Sequence, residues 1–176
     1  MEVDLDGINA GLLLIRVMVG LTMFAHGFNK FFGGGRIPGT ARWFESMGMR
    51  PNGKVHAVLA ASTECGAGLL FASGFLTPFA AAGIVGQMTV AAWTVHRNNG
   101  FFIVKEGWEY NFILAVVAVG VATTGPGRFS LDEVFDLSWS SSPKWAFPIA
   151  AGLGLAAGVG LLVACYRPPP PKPDDA

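Results

Sequence analysis

Charge is scarce in this chain, and the scarcity excludes most soluble architectures. Only 14% of its 176 residues are charged, where an ordinary soluble domain carries about 25%. The net charge is zero, which removes the basic footprint that a nucleic-acid partner requires. Cysteine is rare too. Cys65 and Cys165 form no C-x-x-C pair, which argues against a built-in dithiol oxidoreductase and leaves both as small apolar helix residues. The opening Met1-Glu2-Val3-Asp4-Leu5-Asp6 is acidic where a secretory leader is basic, so the first apolar run is expected to be a retained helix. Gly33-Gly34-Gly35 has no strand before it and no Lys-Ser/Thr after it. It therefore reads as a flexible joint rather than a phosphate loop.

Apolar residues fill the gap. They make up 52% of the sequence, gathered into long runs, and the mean hydropathy is +0.47. This is the pattern of a multi-pass membrane protein in contact with the lipid bilayer. A spanning helix needs ~20 mainly apolar residues. Five stretches qualify or nearly do: about Ile8–Phe32, Val55–Ser73, Pro78–Val95, Asn111–Thr124 and Trp145–Tyr166. The fourth is short and can extend back through Tyr110 and Glu109. Gly74-Phe75-Leu76-Thr77-Pro78 is a tight turn, so the helices it joins should be antiparallel neighbours. Thr40–Met49 reads as a short amphipathic helix at the interface, with Trp43 and Phe44 on its apolar side. Pro168–Pro171 and the residues after them read as an extended, mostly disordered tail.

Basic residues sort by side. Lys30, Arg36, Arg42, Arg50, Lys54, Arg97, Lys105, Arg167 and Lys172 fall on one face of the membrane, and Arg128 and Lys144 on the other. The positive-inside rule then places the N-terminus outside and the C-terminus in the cytoplasm.

Polar groups inside the runs are the candidate site. Glu64 lies near the middle of the second span, where a lone carboxylate is costly and should be protonated, paired or turned to a polar cavity. On the first helix Arg16, Gly20, Met23, Gly27 and Lys30 share one stripe at 100° per residue; on the second, Ala57, Ala60, Ala61, Glu64 and Gly68 do. Small residues let two such stripes approach closely. From depth, Arg16 and Glu64 are expected to pair, either as a lock between helices or as part of a functional pocket. His26, His56 and His96 all fall toward the cytoplasmic side. Interfacial histidine is the common outcome, and no metal ligand set is assigned. A quinone head group, menaquinone for example, needs only a few hydrogen-bonding groups in an apolar cleft, and His26, His96 and Glu64 could provide them, with Gln87 and Thr94 adding to the site. No catalytic residue is assigned. The fifth span repeats small residues at Gly152, Ala156 and Gly160, and at Gly154 and Gly158. It reads as a packing helix, against the bundle or another subunit of an oligomer.

The run Arg16–Gly33 resembles the opening helix of the DoxX family. Trp43–Met49, Glu64–Leu70 with Gly74–Pro78, and Gly125–Asp132 agree with that family in order, over about Leu12 to Asp132. The resemblance, actinobacterial in composition, implies an all-α four-helix membrane bundle over residues 1–135. The chain adds a fifth transmembrane helix at 145–166 and a proline-rich tail at 167–176. Relatives include quinone-reducing thiosulfate oxidoreductase subunits and partners of redox and detoxification enzymes. By motif match Arg16, His26, Lys30 and Glu64 carry over. The implied role is an accessory or quinone-associated subunit of a membrane redox or respiratory assembly, with other membrane proteins of that complex as partners. The alternative is a small transporter or proton-relay protein acting as a homo-oligomer. No covalently bound cofactor is expected.

Overall fold

A computed structural model describes residues 5–169 of the chain, and these fold as an all-α bundle. Long helix α1 (Leu5–Phe32) leads into the short α2 (Arg36–Met47). Helix α3 (Gly53–Ser73) and helix α4 (Thr77–Asn99) follow as an antiparallel pair. Helix α5 (Glu109–Thr124), the single turn α6 (Leu131–Val134) and helix α7 (Pro143–Cys165) complete the order. Among the described residues, α1, α3, α4 and α7 are long and apolar enough to cross a membrane. Helix α5 is shorter, at 16 residues, or ~24 Å of rise against a hydrocarbon core of ~30 Å. It takes the longer form that Tyr110 and Glu109 allow.

Local chemistry sets the boundaries. Asn52 caps α3 by accepting from the Lys54 and Val55 amides. Gly74, at φ 66°, ends it, with the Phe75 amide bonded back to Leu70 O and the Gly74 amide to Phe71 O. Pro78 sits in the first turn of α4, where its missing amide costs nothing. The α2 helix starts four residues earlier than its amphipathic pattern suggests and closes at Gly48 with the same left-handed cap. Two stretches widen to π geometry, Ala92–His96 in α4 and Pro148–Leu153 in α7. The second begins at Pro148, which supplies no amide to the ladder.

Helix α4 is the hub: it packs on α3, α5 and α7, while α1 packs on α3. The core they enclose is small-residue rich, with Phe71, Ile84 and Met23 filling the gaps between Ala81, Ala118 and Ala122. Of the two small-residue stripes on α7, one docks. Gly154 lies against Val85 and Ala82 O, and Gly158 against Gly86 O and Thr89; Gly152 and Gly160 face open space. The end of α7 is clasped to the α2–α3 loop by an antiparallel bridge, Met49 with Tyr166. There the Arg50 amide donates to Cys165 O and the Arg167 amide to Gly48 O, both at 2.8 Å. At the opposite end the Arg128 amide donates to Asn9 Oδ1. Helix α1 thus starts at one end of the bundle, and the chain reaches Arg167 at the other. Most of the expected proline-rich tail, residues 170–176, lies outside the described residues.

This packing makes a contrast testable. Gly20→Leu drives a side chain into the α3 backbone and is expected to cost roughly 1–3 kcal/mol or more. Gly160→Leu meets open space and should leave the thermal midpoint in detergent nearly unchanged. Equal loss from both would contradict the packing described.

Candidate functional site: a Lys30–Glu64–Gln87 cluster between three helices

The site follows from how α1 and α3 meet. Gly20 lies against the Gly68 carbonyl and Ala72, and Gly27 against Ala61 O and Cys65. Seven residues forward on α1 therefore correspond to seven residues back on α3. In this register Lys30 falls opposite the first turns of α3, and its side chain reaches one turn back to Glu64. Lys30 Nζ donates to both carboxylate oxygens, at 2.7 Å to Oε1 and 2.6 Å to Oε2. From α4, Gln87 Nε2 adds a longer bond to Oε1 at 3.3 Å. Glu64 is nearly buried while the Lys30 side chain keeps 18% of its surface, so the pair sits where bundle interior gives way to its flank. A buried carboxylate with a bidentate ammonium and an amide donor has most of its acceptor capacity filled. Among the described residues this is the ion pair found within 4 Å.

The expected Arg16–Glu64 pair does not form. Ten residues of α3 separate Glu64 from Gly74, the level that Arg16 meets, which is ~15 Å along the axis and beyond an arginine's reach. Arg16 is fully buried and donates through Nη2 to Phe129 O, close to Gly74 and within the field of Asp132. Its Nε and Nη1 have no partner among the described residues. Asp132 is the organiser of this end and was not singled out as a site by sequence. It accepts from the Leu76 amide (2.7 Å), the Thr77 amide (3.0 Å) and Thr77 Oγ1 (2.7 Å). The carboxylate thereby caps α4 at its positive end and holds Leu76 at φ 48°. The available signal was Ser130 followed three residues later by Glu133: Ser130 Oγ accepts the Glu133 amide and starts the turn that carries Asp132.

The histidines fall toward one end of the bundle but have separate partners. His26 lies on the exposed flank of α1, its ring 6.3 Å from that of Tyr110. An open groove of about 370 Å³ beside it is lined by Thr22, Ala25 and Asn29. His56 is buried, with Nε2 2.8 Å from Arg50 O. His96 Nδ1 lies 2.6 Å from Glu106 O in the α4–α5 loop. The groove at His26 is lined by neither His96 nor Glu64; His96 meets Glu106 O and Glu64 meets Lys30 instead. Gln87 does join Glu64. Thr94 bonds its own helix at Val90 O and, with Gln87 and His56, lines a small, partly open space of about 40 Å³. Among the described residues no three His, Cys, Asp or Glu side chains come together as a metal site.

The DoxX family model matches residues 11–97, the stretch that holds Arg16, Lys30, Glu64 and Gln87. A putative oxidoreductase, CatD, of Bacillus subtilis (strain 168) is 30% identical over 124 residues, covering 69% of this chain and 84% of that protein. The chain belongs to the DoxX family. Another relative is the inner membrane protein YqjF of Escherichia coli (strain K12), 27% identical over 131 residues, which are 74% of this chain and 96% of YqjF. A third, an uncharacterized protein of Haemophilus influenzae, is 26% identical over 142 residues, 76% of this chain and 89% of its own length. No solved structure matches. The DoxX match ends at residue 97, so α5, α6 and α7, with Asp132, lie beyond it.

Two substitutions test the two polar centres. Lys30→Met strands the Glu64 carboxylate, and a loss of up to about 3 kcal/mol is expected, at the low end for a broken buried pair because Lys30 is partly exposed. Lys30→Met with Glu64→Leu should recover most of it, read as thermal midpoints in detergent. Asp132→Ala removes a cap and the counter-charge of Arg16 together, and should cost at least about 2 kcal/mol; a neutral result would remove Asp132 from the account of that end.

Proposed function

We propose that this DoxX protein is a subunit of a bacterial plasma-membrane redox assembly, contributing helices and a polar anchor while a partner supplies the electrons. The observation that supports this most directly is the Lys30–Glu64–Gln87 cluster. It is a charge-balanced group held by three helices and reaching the flank of α1, where a membrane partner or its quinone can meet it. The exposed face of α1 that carries His26 and Asn29 offers hydrogen-bonding groups that a quinone head group, such as menaquinone, can use where a partner helix closes over it. The name of the B. subtilis relative as a putative oxidoreductase agrees in direction.

The orientation belongs to the same reading. Arg36, Arg42, Arg50, Lys54, Arg97, Lys105 and Arg167 gather at the Lys30 end of the bundle, and Arg128 and Lys144 at the other. The positive-inside rule then makes the Lys30 end cytoplasmic and the N-terminus external. A fluorescent protein fused after Ala176 should fold and emit in cells, and one fused at Met1 should stay dark.

A proton-relay role is the second reading, favoured by one feature. Gln87 bonds Glu64 and also lines the small, partly open space shared with His56 and Thr94. That volume is enough for one or a few waters. The experiment that separates the readings is mild extraction of the native complex from its own membrane, followed by identification of what accompanies the chain. Oxidoreductase subunits or quinone in constant ratio support the first reading, together with loss of that association in Lys30→Met. A homo-oligomer alone, moving protons across vesicles in a Glu64-dependent way, supports the second.

A further inference from the structure

Helix α1 turns two faces to two environments. One carries Arg16, Gly20, Met23 and Gly27 and is buried against α3. Its remaining contacts, with α2 and α5, are slight, and α1 is the least buried of the four spanning helices. A wholly apolar outer face would simply meet lipid, but this one is not wholly apolar. His26 and Asn29 are exposed on it. Gly27 lies against Ala61 O and Cys65, so both residues fall within ~3 Å of the middle of α3 along the axis. Helix α3 is 21 residues long, a rise of ~31 Å that matches the hydrocarbon core. An imidazole and a carboxamide at that depth are costly in lipid and belong against protein.

The form of the face says which protein. Ile15, Met18, Thr22, Ala25, Asn29 and Phe32 follow one another at alternating steps of three and four, all exposed or half-buried. This is the a/d seam of a heptad coiled coil, in which each knob enters a hole made by four residues of the facing helix. Two such holes stand open side by side on α1. Thr22, Ala25, His26 and Asn29 line the first. Ala25, Phe28, Asn29 and Phe32 line the second, which Phe24 and Gly33 also border. Their spacing, i, i+3, i+4 and i+7, is that of the holes that receive a d knob and an a knob. We infer that α1 pairs in parallel with α1 of a second copy of this chain, about a two-fold axis along the bilayer normal. The partner's Ala25 fills the first hole and the partner's Asn29 the second. Charge complementarity chooses this occupant. The seam from Ile15 to Phe32 carries no ionised group, and its one carboxamide is donor and acceptor at once, so the face complements itself. Two copies inserted with the same orientation present parallel α1 helices. Asn29, at an a position, fixes the register as a lone asparagine does in parallel pairs, and Ala25 lets the backbones close in. Closure also takes His26 out of lipid. The dimer rests on depth and packing and not on the redox reading, so either can fail without the other.

The test uses the full chain in its own membrane, with Cys65→Ala and Cys165→Ala as the background. Ala25→Cys and Asn29→Cys should each give disulfide-linked dimers with a lipid-soluble oxidant. Val163→Cys, at an exposed position on α7, should not. Excised with its lipid in polymer discs, the parent chain should count as two copies. Ala25→Trp should count as one, with the parent's helical content, since that position is exposed in the single chain. By dilution in lipid vesicles, Asn29→Leu should raise the dissociation constant of the dimer about three- to thirtyfold, the range that one hydrogen bond between helices gives in lipid. The inference is overturned if neither cysteine on α1 links, or if Val163→Cys links as strongly. It is also overturned if the parent counts as one copy, if Ala25→Trp still counts as two, or if Asn29→Leu pairs as tightly as the parent. Linking of the α1 cysteines to a different protein in preference to a second copy overturns it as well.

Discussion

The backbone approach of α1 to α3 is the constraint on which the rest of this bundle depends. A Cβ at Gly68 would stand 2.6 Å from Gly20 O, and one at Gly27 would stand 2.6 Å from Ala61 O. Lipid tails are as apolar as side chains, so close packing rather than water exclusion holds membrane helices together. With that contact made, the register of the two helices has no freedom left. Lys30 meets Glu64 and Arg16 meets the loop after α5. Helix α4 is placed by the short turn after α3, and brings Gln87 to the first centre and Thr77 to the second.

The two polar centres divide the charge problem of a buried bundle differently. At one end a lysine and a glutamate cancel at contact distance, and the pair lies beside an accessible flank. At the other, Asp132 stabilises the start of α4 while balancing Arg16 from further away, and the arginine keeps two donors unmet. The first arrangement can exchange partners with little rearrangement because Lys30 is partly exposed; the second is walled in by the Gly74 turn and the Phe129–Asp132 segment. That difference is why the proposed function rests on Lys30, Glu64 and Gln87, while Arg16 and Asp132 hold the opposite end together.

Much of this was legible in the residues. The all-α membrane fold, the stripe of Arg16, Gly20, Met23 and Gly27 and its small-residue counterpart on α3 all follow from composition and a 100° step. The partner of Glu64 did not follow. Depth measured from the middle of each apolar run ignores how two helices slide past one another, and an error of ten residues on α3 moved the pairing from Lys30 to Arg16. The three histidines failed as one cleft for the related reason that depth says nothing of azimuth. The clasp between Gly48–Arg50 and Cys165–Arg167 is made by backbone groups, which every sequence possesses, so no residue type announces it. In the sequence Asn111 marks only the approximate start of the fourth apolar run. Only the fold shows that it is buried, with Oδ1 unpartnered among the described residues.

The most direct test of the register, and so of the whole arrangement, is a charge exchange in the full chain followed by its thermal midpoint and yield in detergent. Lys30→Glu and Glu64→Lys should each be strongly destabilising alone, and the double exchange should restore most of the loss, since the two groups simply trade places. The corresponding exchange of Arg16 with Glu64 should restore nothing. Rescue by the Arg16–Glu64 exchange, with none by Lys30–Glu64, would contradict the account.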